Sequence, residues 1–378
     1  MASILMINVP YSGHTNPTLP LASELIKSGN KVFYINAEEF REKIEETGAT
    51  FIPYINYPSN PSEQQKKTKC FRAAFETALN LDVKIDLLIY EMFFYPAIRI
   101  AEKLGIPCVR QFSQPAWGEE RVSDATVFFR LSCKLIDMQV MGKKNVEFME
   151  LKNKSLMQAV LYDMPDLNIV YVPQVFQPHR NSFKDNYLFI KPPVQEKPSK
   201  QLIPYSEMRR PIIYISLGSI ISNKGFCKEC IRAFGGKEFT VILNTGKVNP
   251  QELGKIPDNI YAYSFVPQIE VLSKADLFLT HCGMNSVNEA MTFGVPMVAM
   301  PFINDQISNA KRVVELGIGK KVRPFPSSGK ELYTTCQSVM EDKKIKERCN
   351  KLQIELKKDE SFEKIIEEIE KLLIRSKR

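Results

Sequence analysis

Short apolar runs of strand length alternate with helical segments along most of the chain, and this alternation constrains the fold more than any other feature. Residues 4–9 form such a run, followed by the turn-rich stretch 10–17. Leu19, Leu21, Ala22, Leu25 and Ile26 then recur at the spacing of one helical face, and Gly29 ends that segment. Asn16 is placed to cap this helix, with Pro17 in the first turn, where a missing N–H costs nothing. Residues 31–36, 38–47 and 50–54 read as strand, helix and strand, and the pattern resumes at 85–90, 96–104 and 107–112. A β-α-β-α-β order favours a parallel sheet with helices on both faces.

Proline-rich sequence with little periodicity interrupts this series between residues 191 and 210, as expected of an interdomain linker. A second series follows: strands at 212–217, 240–243, 260–265, 277–280 and 296–299, with helices at 228–234, 269–272, 286–293 and 307–316. The expected organisation is therefore a first domain over 1–190, a linker over 191–210, a second domain over 211–360 and a charged amphipathic helix over 361–378. A length of 378 residues suits two domains, because single cores stop growing near roughly 250–300 residues.

Composition removes several function classes. No apolar run reaches the roughly 18 residues that span a bilayer, and the N-terminus lacks the basic region of a signal peptide. A cytoplasmic protein without stable membrane insertion is expected. The net charge of +8 is moderate, and clusters such as Lys66, Lys67 and Lys69 read as solvated loop with no nucleic-acid signature beside them. A basic face suits anionic phosphates or a membrane surface, and charge alone does not choose. Cys227 and Cys230 form a CxxC inside a helical segment, with no second pair, so neither metal nor redox use is expected.

The richest chemistry lies between residues 265 and 306. The strand at 277–280 runs into His281-Cys-Gly283-Met284-Asn285-Ser286, where a helix begins. Ligands of open parallel sheets gather at the carboxyl ends of strands. Gly283 permits close backbone approach, and first-turn amides with the helix dipole make a diphosphate the natural guest. His281 is placed to donate a further hydrogen bond, and Glu289, one turn on, to accept from ribose hydroxyls. Phe265 can stack on a uracil ring while the Val266 backbone reads its edge. Asp305 and Gln306 pair a carboxylate with an amide, which suits adjacent hydroxyls of a hexose.

The run FVPQ…THCGMNSVNEAMTFGVPMVAMPFINDQ resembles the donor-binding signature of family 1 glycosyltransferases, in particular the bacterial macrolide and flavonoid branch. The loop SGHTNP, the turn Ser216-Leu-Gly-Ser219, the stretch Phe176-Gln-Pro-His179 and the final helix also have counterparts there. The resemblance implies the GT-B fold: an α/β protein of two doubly wound Rossmann-like domains facing across a cleft, with a C-terminal helix that crosses back to the first domain. It assigns uracil contacts to Phe265 and Val266, and ribose contacts to Gln268 and Glu289. Ser219, His281, Asn285 and Ser286 go to the diphosphate, and Asp305 and Gln306 to the sugar. Plant members usually carry Trp at the positions of Phe265 and Met284, and Met284 lies beside the hexose. Gln306 leans towards UDP-glucose. The UDP-sugar is then a co-substrate, with no cofactor, and the absence of a DxD sequence points to no metal.

Transfer to a hydroxyl needs a base. His14 lies in the turn-rich loop after the first strand, and its neutral imidazole can take the acceptor's proton. The resemblance makes it the catalytic base of an inverting transfer, oriented by an acidic residue at Glu91, where family members normally have Asp. A glutamate can do this but is one methylene longer. Phe93, Phe94, Tyr95, Phe112, Trp117, Phe128, Phe129, Met138 and Met141 offer an apolar wall for a small lipophilic acceptor such as a flavonoid, phenolic or macrolide. Sequence does not separate pocket from core among them. The leading expectation is a monomeric UDP-hexosyltransferase. The alternatives are a peripheral lipid glycosyltransferase and a nucleotide-sugar-binding protein with weakened catalysis. His179, near the linker, reads as a structural contact.

Overall fold

The computed structural model describes residues 1–120, 127–140, 143–151, 155–194, 201–218, 223–326, 328–357 and 362–376. The chain divides into two compact units, Met1–Pro192 with Glu360–Arg378, and Pro193–Asp359.

The first unit is a parallel sheet of seven strands: β1 (Ser3–Ile7), β2 (Lys31–Asn36), β3 (Thr50–Pro53), β4 (Leu87–Glu91), β5 (Cys108–Phe112), β6 (Leu167–Val170) and β7 (Tyr187–Phe189). Their spatial order is β3-β2-β1-β4-β5-β6-β7. The order reverses between β1 and β4, where Ile4 pairs with Leu87 and Ile7 with Tyr90. A crevice at the carboxyl ends of those two strands is the natural ligand position of such a sheet. All five residues of β4 and of β5 are buried, which explains the apolar run Leu87–Tyr90 without alternation, while the buried Arg110 and Gln111 of β5 are hydrogen-bonded to Asn168 and Tyr171. The helix Glu363–Arg375 belongs to this unit. Its Ile365, Ile369 and Leu373, with the preceding Phe362, join the core cluster that includes Leu25, Val32, Ile169 and Leu188.

The second unit repeats the plan with β8 (Ile212–Ser216), β9 (Thr240–Asn244), β10 (Ile260–Tyr263), β11 (Leu277–Thr280), β12 (Met297–Ala299) and β13 (Gly319–Lys321). The order β10-β9-β8-β11-β12-β13 places its reversal between β8 and β11, and every pairing is parallel.

Several local expectations are corrected. Lys66, Lys67 and Lys69 lie in a helix, Glu63–Leu79, not in a loop. Ser62 and Gln65 form a reciprocal capping box at its start, and Cys70, Phe71, Ala73, Ala74, Phe75, Thr77 and Ala78 make its buried face. The signal was legible, but the lysines masked it: Lys66 Nζ is spent on Glu39, 2.9 Å away. Asn16 makes no side-chain cap. The turn-rich loop itself coils into a short helix, Ser12–Thr15, and a 3-10 turn, Asn16–Thr18, before the helix Leu19–Lys27. In the second unit two helices start early, at Met284 and Asn304, so Asn285, Ser286, Asp305 and Gln306 sit inside first turns. The strand before Phe265 stops at Tyr263. Cys227 and Cys230 are buried in the helix Lys224–Phe234, where burial pushes the Cys227 thiol up to about 11.

Candidate active site

In the first unit the end of β1, the end of β4 and the residue after β5 converge. His14 sits in the short helix beyond β1, and the buried Asn8 holds it there by donating from Nδ2 to the His14 carbonyl at 3.1 Å. Glu91 is the last residue of β4 and fully buried. Its Oε1 lies 2.9 Å from His14 Nδ1, and its Oε2 accepts the Phe93 N–H at 2.8 Å. A carboxylate in its ionised form only accepts, so this contact selects the tautomer with the proton on Nδ1, which leaves Nε2 as the acceptor nitrogen. The extra methylene of the glutamate is therefore accommodated without losing the contact. The His14 side chain is 26% exposed, open enough to meet a substrate.

Aromatic edges frame the ring. Phe93 meets His14 edge-on with centroids 5.0 Å apart, and Trp117 meets Phe93 in the same manner at 6.1 Å. Tyr11 flanks the imidazole at 6.3 Å. Of the other wall candidates, Phe94, Tyr95 and Phe112 are buried core, the first two packed on Phe71 and the third on Tyr187. Met138 is exposed on the helix Val127–Val140. The side chains of Phe128, Phe129 and Met141 lie outside the described residues. Sequence reasoning missed Ser113, whose Oγ is 2.8 Å from His14 Nδ1; its one signal is its place directly after β5.

In the second unit the ends of β8 and β11 flank the reversal point. His281, directly after β11, lies against two glycines: a Cβ at Gly218 would stand 2.6 Å from its Cε1, and one at Gly283 2.6 Å from its Nε2. Burial lowers the His281 pKa to about 4, so the ring is neutral and acts as a hydrogen-bonding group, not a cation. Its Nδ1 is buried without a hydrogen-bond partner among the described residues. The turn is fixed from behind. Cys282 takes the left-handed conformation at φ 64°, its carbonyl accepts from Asn309 Nδ2 at 3.0 Å, and its N–H donates to Thr280 Oγ1 at 3.2 Å. Asn309 carried no sequence signal.

The helix Met284–Phe293 has no side-chain cap, and its ladder begins with Val287 N–H to the Gly283 carbonyl at 3.0 Å. The amides of Met284, Asn285 and Ser286 precede that ladder at the positive end of the helix dipole, where anions bind. Gln268 joins the site through both ends of its carboxamide. Oε1 accepts from Tyr214 at 3.0 Å, while Nε2 donates to Ser286 Oγ at 3.1 Å and to Glu289 Oε2 at 2.5 Å. Burial raises Glu289 to about 7, with the Gln268 bond working against that rise. Phe265 is 66% exposed beside the buried Val266, as a stacking surface would be.

Met284 is buried, and Asn285 is half-buried. Burial raises the Cys282 thiol, and Asp305 lies near enough for its charge to add to that rise. Gln306 is buried, and its Oε1 accepts the amides of Phe302 at 2.9 Å and Ile303 at 3.3 Å, so that oxygen serves its own helix start. Ser219 lies outside the described residues. Among the described residues no three His, Cys, Asp or Glu side chains converge as metal ligands.

Comparison with known proteins gives a consistent answer. A family model described as UDP-glucoronosyl and UDP-glucosyl transferase matches residues 191–365. The NDP-glycosyltransferase YjiC of Bacillus subtilis is 32% identical over 99% of this chain and 98% of its own length. The oleandomycin glycosyltransferase of Streptomyces antibioticus is 25% identical over 94% of this chain and 87% of its own. The solved structure of the glycotransferase of kitacinnamycin superposes with a TM-score of 0.81 at 26% identity, covering 98% of both chains. With the GT-B architecture and the signature run in place, this chain belongs to the family 1 UDP-glycosyltransferases.

Proposed function

We propose that the chain moves a hexose, glucose in the leading case, from a UDP-sugar to a hydroxyl of a small lipophilic acceptor, with inversion at the anomeric carbon. The observation that carries this reading is the His14–Glu91 contact of 2.9 Å at the carboxyl edge of the first sheet. In a single displacement the acceptor oxygen bonds to the anomeric carbon as its proton passes to His14 Nε2. The bond from that carbon to the diphosphate oxygen breaks, and UDP leaves with the electron pair. Glu91 stabilises the imidazolium formed on the way.

The donor's base is assigned to Phe265 and Val266, its ribose to Gln268 and Glu289. The diphosphate goes to Ser219, His281, Asn285, Ser286 and the approach over Gly283. Met284, Asp305 and Gln306 border the sugar. First-turn amides and the dipole meet the leaving diphosphate, so transfer proceeds without a metal. Glucose is supported by the family description and by Gln306, and a natural-product acceptor by relatives named for oleandomycin and kitacinnamycin.

The test is UDP release from UDP-glucose in EDTA with flavonoid, phenolic and macrolide acceptors, comparing wild type with His14→Ala. Turnover lost in the variant while UDP binding persists is the expected result. Equal turnover in both would remove His14 from the chemistry. A second reading, a lipid acceptor at a membrane surface, draws on Leu131, Leu135 and Met138, exposed in one stripe of the helix Val127–Val140 beside exposed Lys134. Sedimentation with anionic vesicles separates the two, since the leading reading keeps the protein in the supernatant.

A further inference from the structure

Ser113 is 5% exposed and stands directly after β5, next to the strand that ends in Glu91. Its Oγ lies 2.8 Å from His14 Nδ1 and 3.2 Å from Glu91 Oε1. Hydroxyl and carboxylate thus meet the same ring nitrogen. In a serine-nucleophile triad the serine takes Nε2 and the acid takes Nδ1, so this serine is not arranged to be a nucleophile. The donor count settles the pattern. Glu91 only accepts, so the Nδ1 proton is shared between Oε1 and the Ser113 oxygen, and the Ser113 proton goes to Oε1. Phe93 N–H holds the other carboxylate oxygen at 2.8 Å. A glutamate side chain has one more rotatable bond than an aspartate, and here each of its oxygens is pinned by a separate donor.

We propose that Ser113 is a positioning residue for glycosyl transfer: its hydroxyl ties the Glu91 carboxylate to His14 Nδ1 and holds the ring with Nε2 presented as proton acceptor. The proposal rests on His14 being the base. Removing the hydroxyl frees the carboxylate to leave the ring, so the chemical step slows while donor binding in the other unit is untouched.

The experiment combines steady-state kinetics, using UDP-glucose and a polyhydroxylated flavone, with 15N NMR of the histidine rings. His14 is one of only three histidines, and His14→Ala assigns its signals. Ser113→Ala is expected to lower kcat about fivefold, the worth of one hydrogen bond, with KM for UDP-glucose unchanged and Ser113→Thr restoring the rate. It should cost less in a Glu91→Ala background, where the hydroxyl has lost the carboxylate and keeps only its contact with His14 Nδ1. The wild-type ring should be a single Nδ1–H tautomer, and Ser113→Ala should populate the Nε2–H form.

Wild-type kcat in Ser113→Ala, or the same loss with and without Glu91, would overturn the proposal and leave the base reading standing. Full turnover in His14→Ala would instead overturn the base reading, and this proposal with it. If the wild type does not turn over the flavone, the ring spectra decide: an unchanged tautomer in Ser113→Ala overturns the positioning role by itself.

Discussion

Replacing Glu289 with glutamine isolates the energetics of one half-buried, desolvated acid. Its carboxyl is raised from an ordinary 4.5 to about 7, chiefly by burial and despite the Gln268 bond. The folded chain therefore keeps a proton that the unfolded chain releases near pH 4.5. Between those two values the folded state binds more protons, so stability falls as pH rises, and the full penalty is present above pH 7. A rise of two and a half units corresponds to at most about 3–4 kcal/mol. Glu289→Gln keeps the shape and cannot ionise, so it should match the wild type near pH 4.5 and exceed it at pH 8. Ribose hydroxyls donate best to the ionised acid, so wild-type UDP affinity should climb from pH 6 to 8 while the variant stays flat and weaker. Urea unfolding at pH 5 and 8, with calorimetric UDP titrations over the same range, measures both. A stability difference between wild type and variant that is the same at both pH values would refute the argument.

Two further substitutions follow from packing. Gly218→Ala would put a Cβ 2.6 Å from the His281 ring on a backbone at φ +76°, so a loss of about 1–3 kcal/mol and weaker UDP binding are expected from melting and titration. Gly13→Ala, whose Cβ meets nothing within 4 Å, is the control and should leave stability nearly unchanged. Ile369→Ala empties a fully buried position of the last helix and should cost about 2–5 kcal/mol in urea unfolding of the first unit, with the UDP affinity of the second unit retained.

Both doubly wound sheets were legible in the sequence because their central strands are buried on both faces and read as unbroken apolar runs. The segment 277–280 coincides with β11 for that reason. Three strands were missed: the interior β6, whose apolar run is broken by Asn168, and the three-residue edge strands β7 and β13. Helix starts slipped where the cap is a backbone feature. Gly283 caps through conformation alone, so the helix read from residue 286 in fact starts at Met284. At the site, His14 and Glu91 stood out as ionisable groups at strand ends, whereas Ser113 and Asn309 act through contacts between segments 99 and 27 residues apart. No local pattern encodes such pairs.

The placement of the Glu363–Arg375 helix in the first unit has a consequence for biosynthesis. Residues 193–359 form a complete unit of their own, interposed between the bulk of the first unit and the helix that finishes its core. A ribosome makes the parts in that order, so the second unit has its whole sequence before the first unit does. Until the last helix emerges, the surface destined to meet Ile365, Ile369 and Leu373 has no cover, and the nascent first unit waits with an apolar face open to chaperones and to other chains.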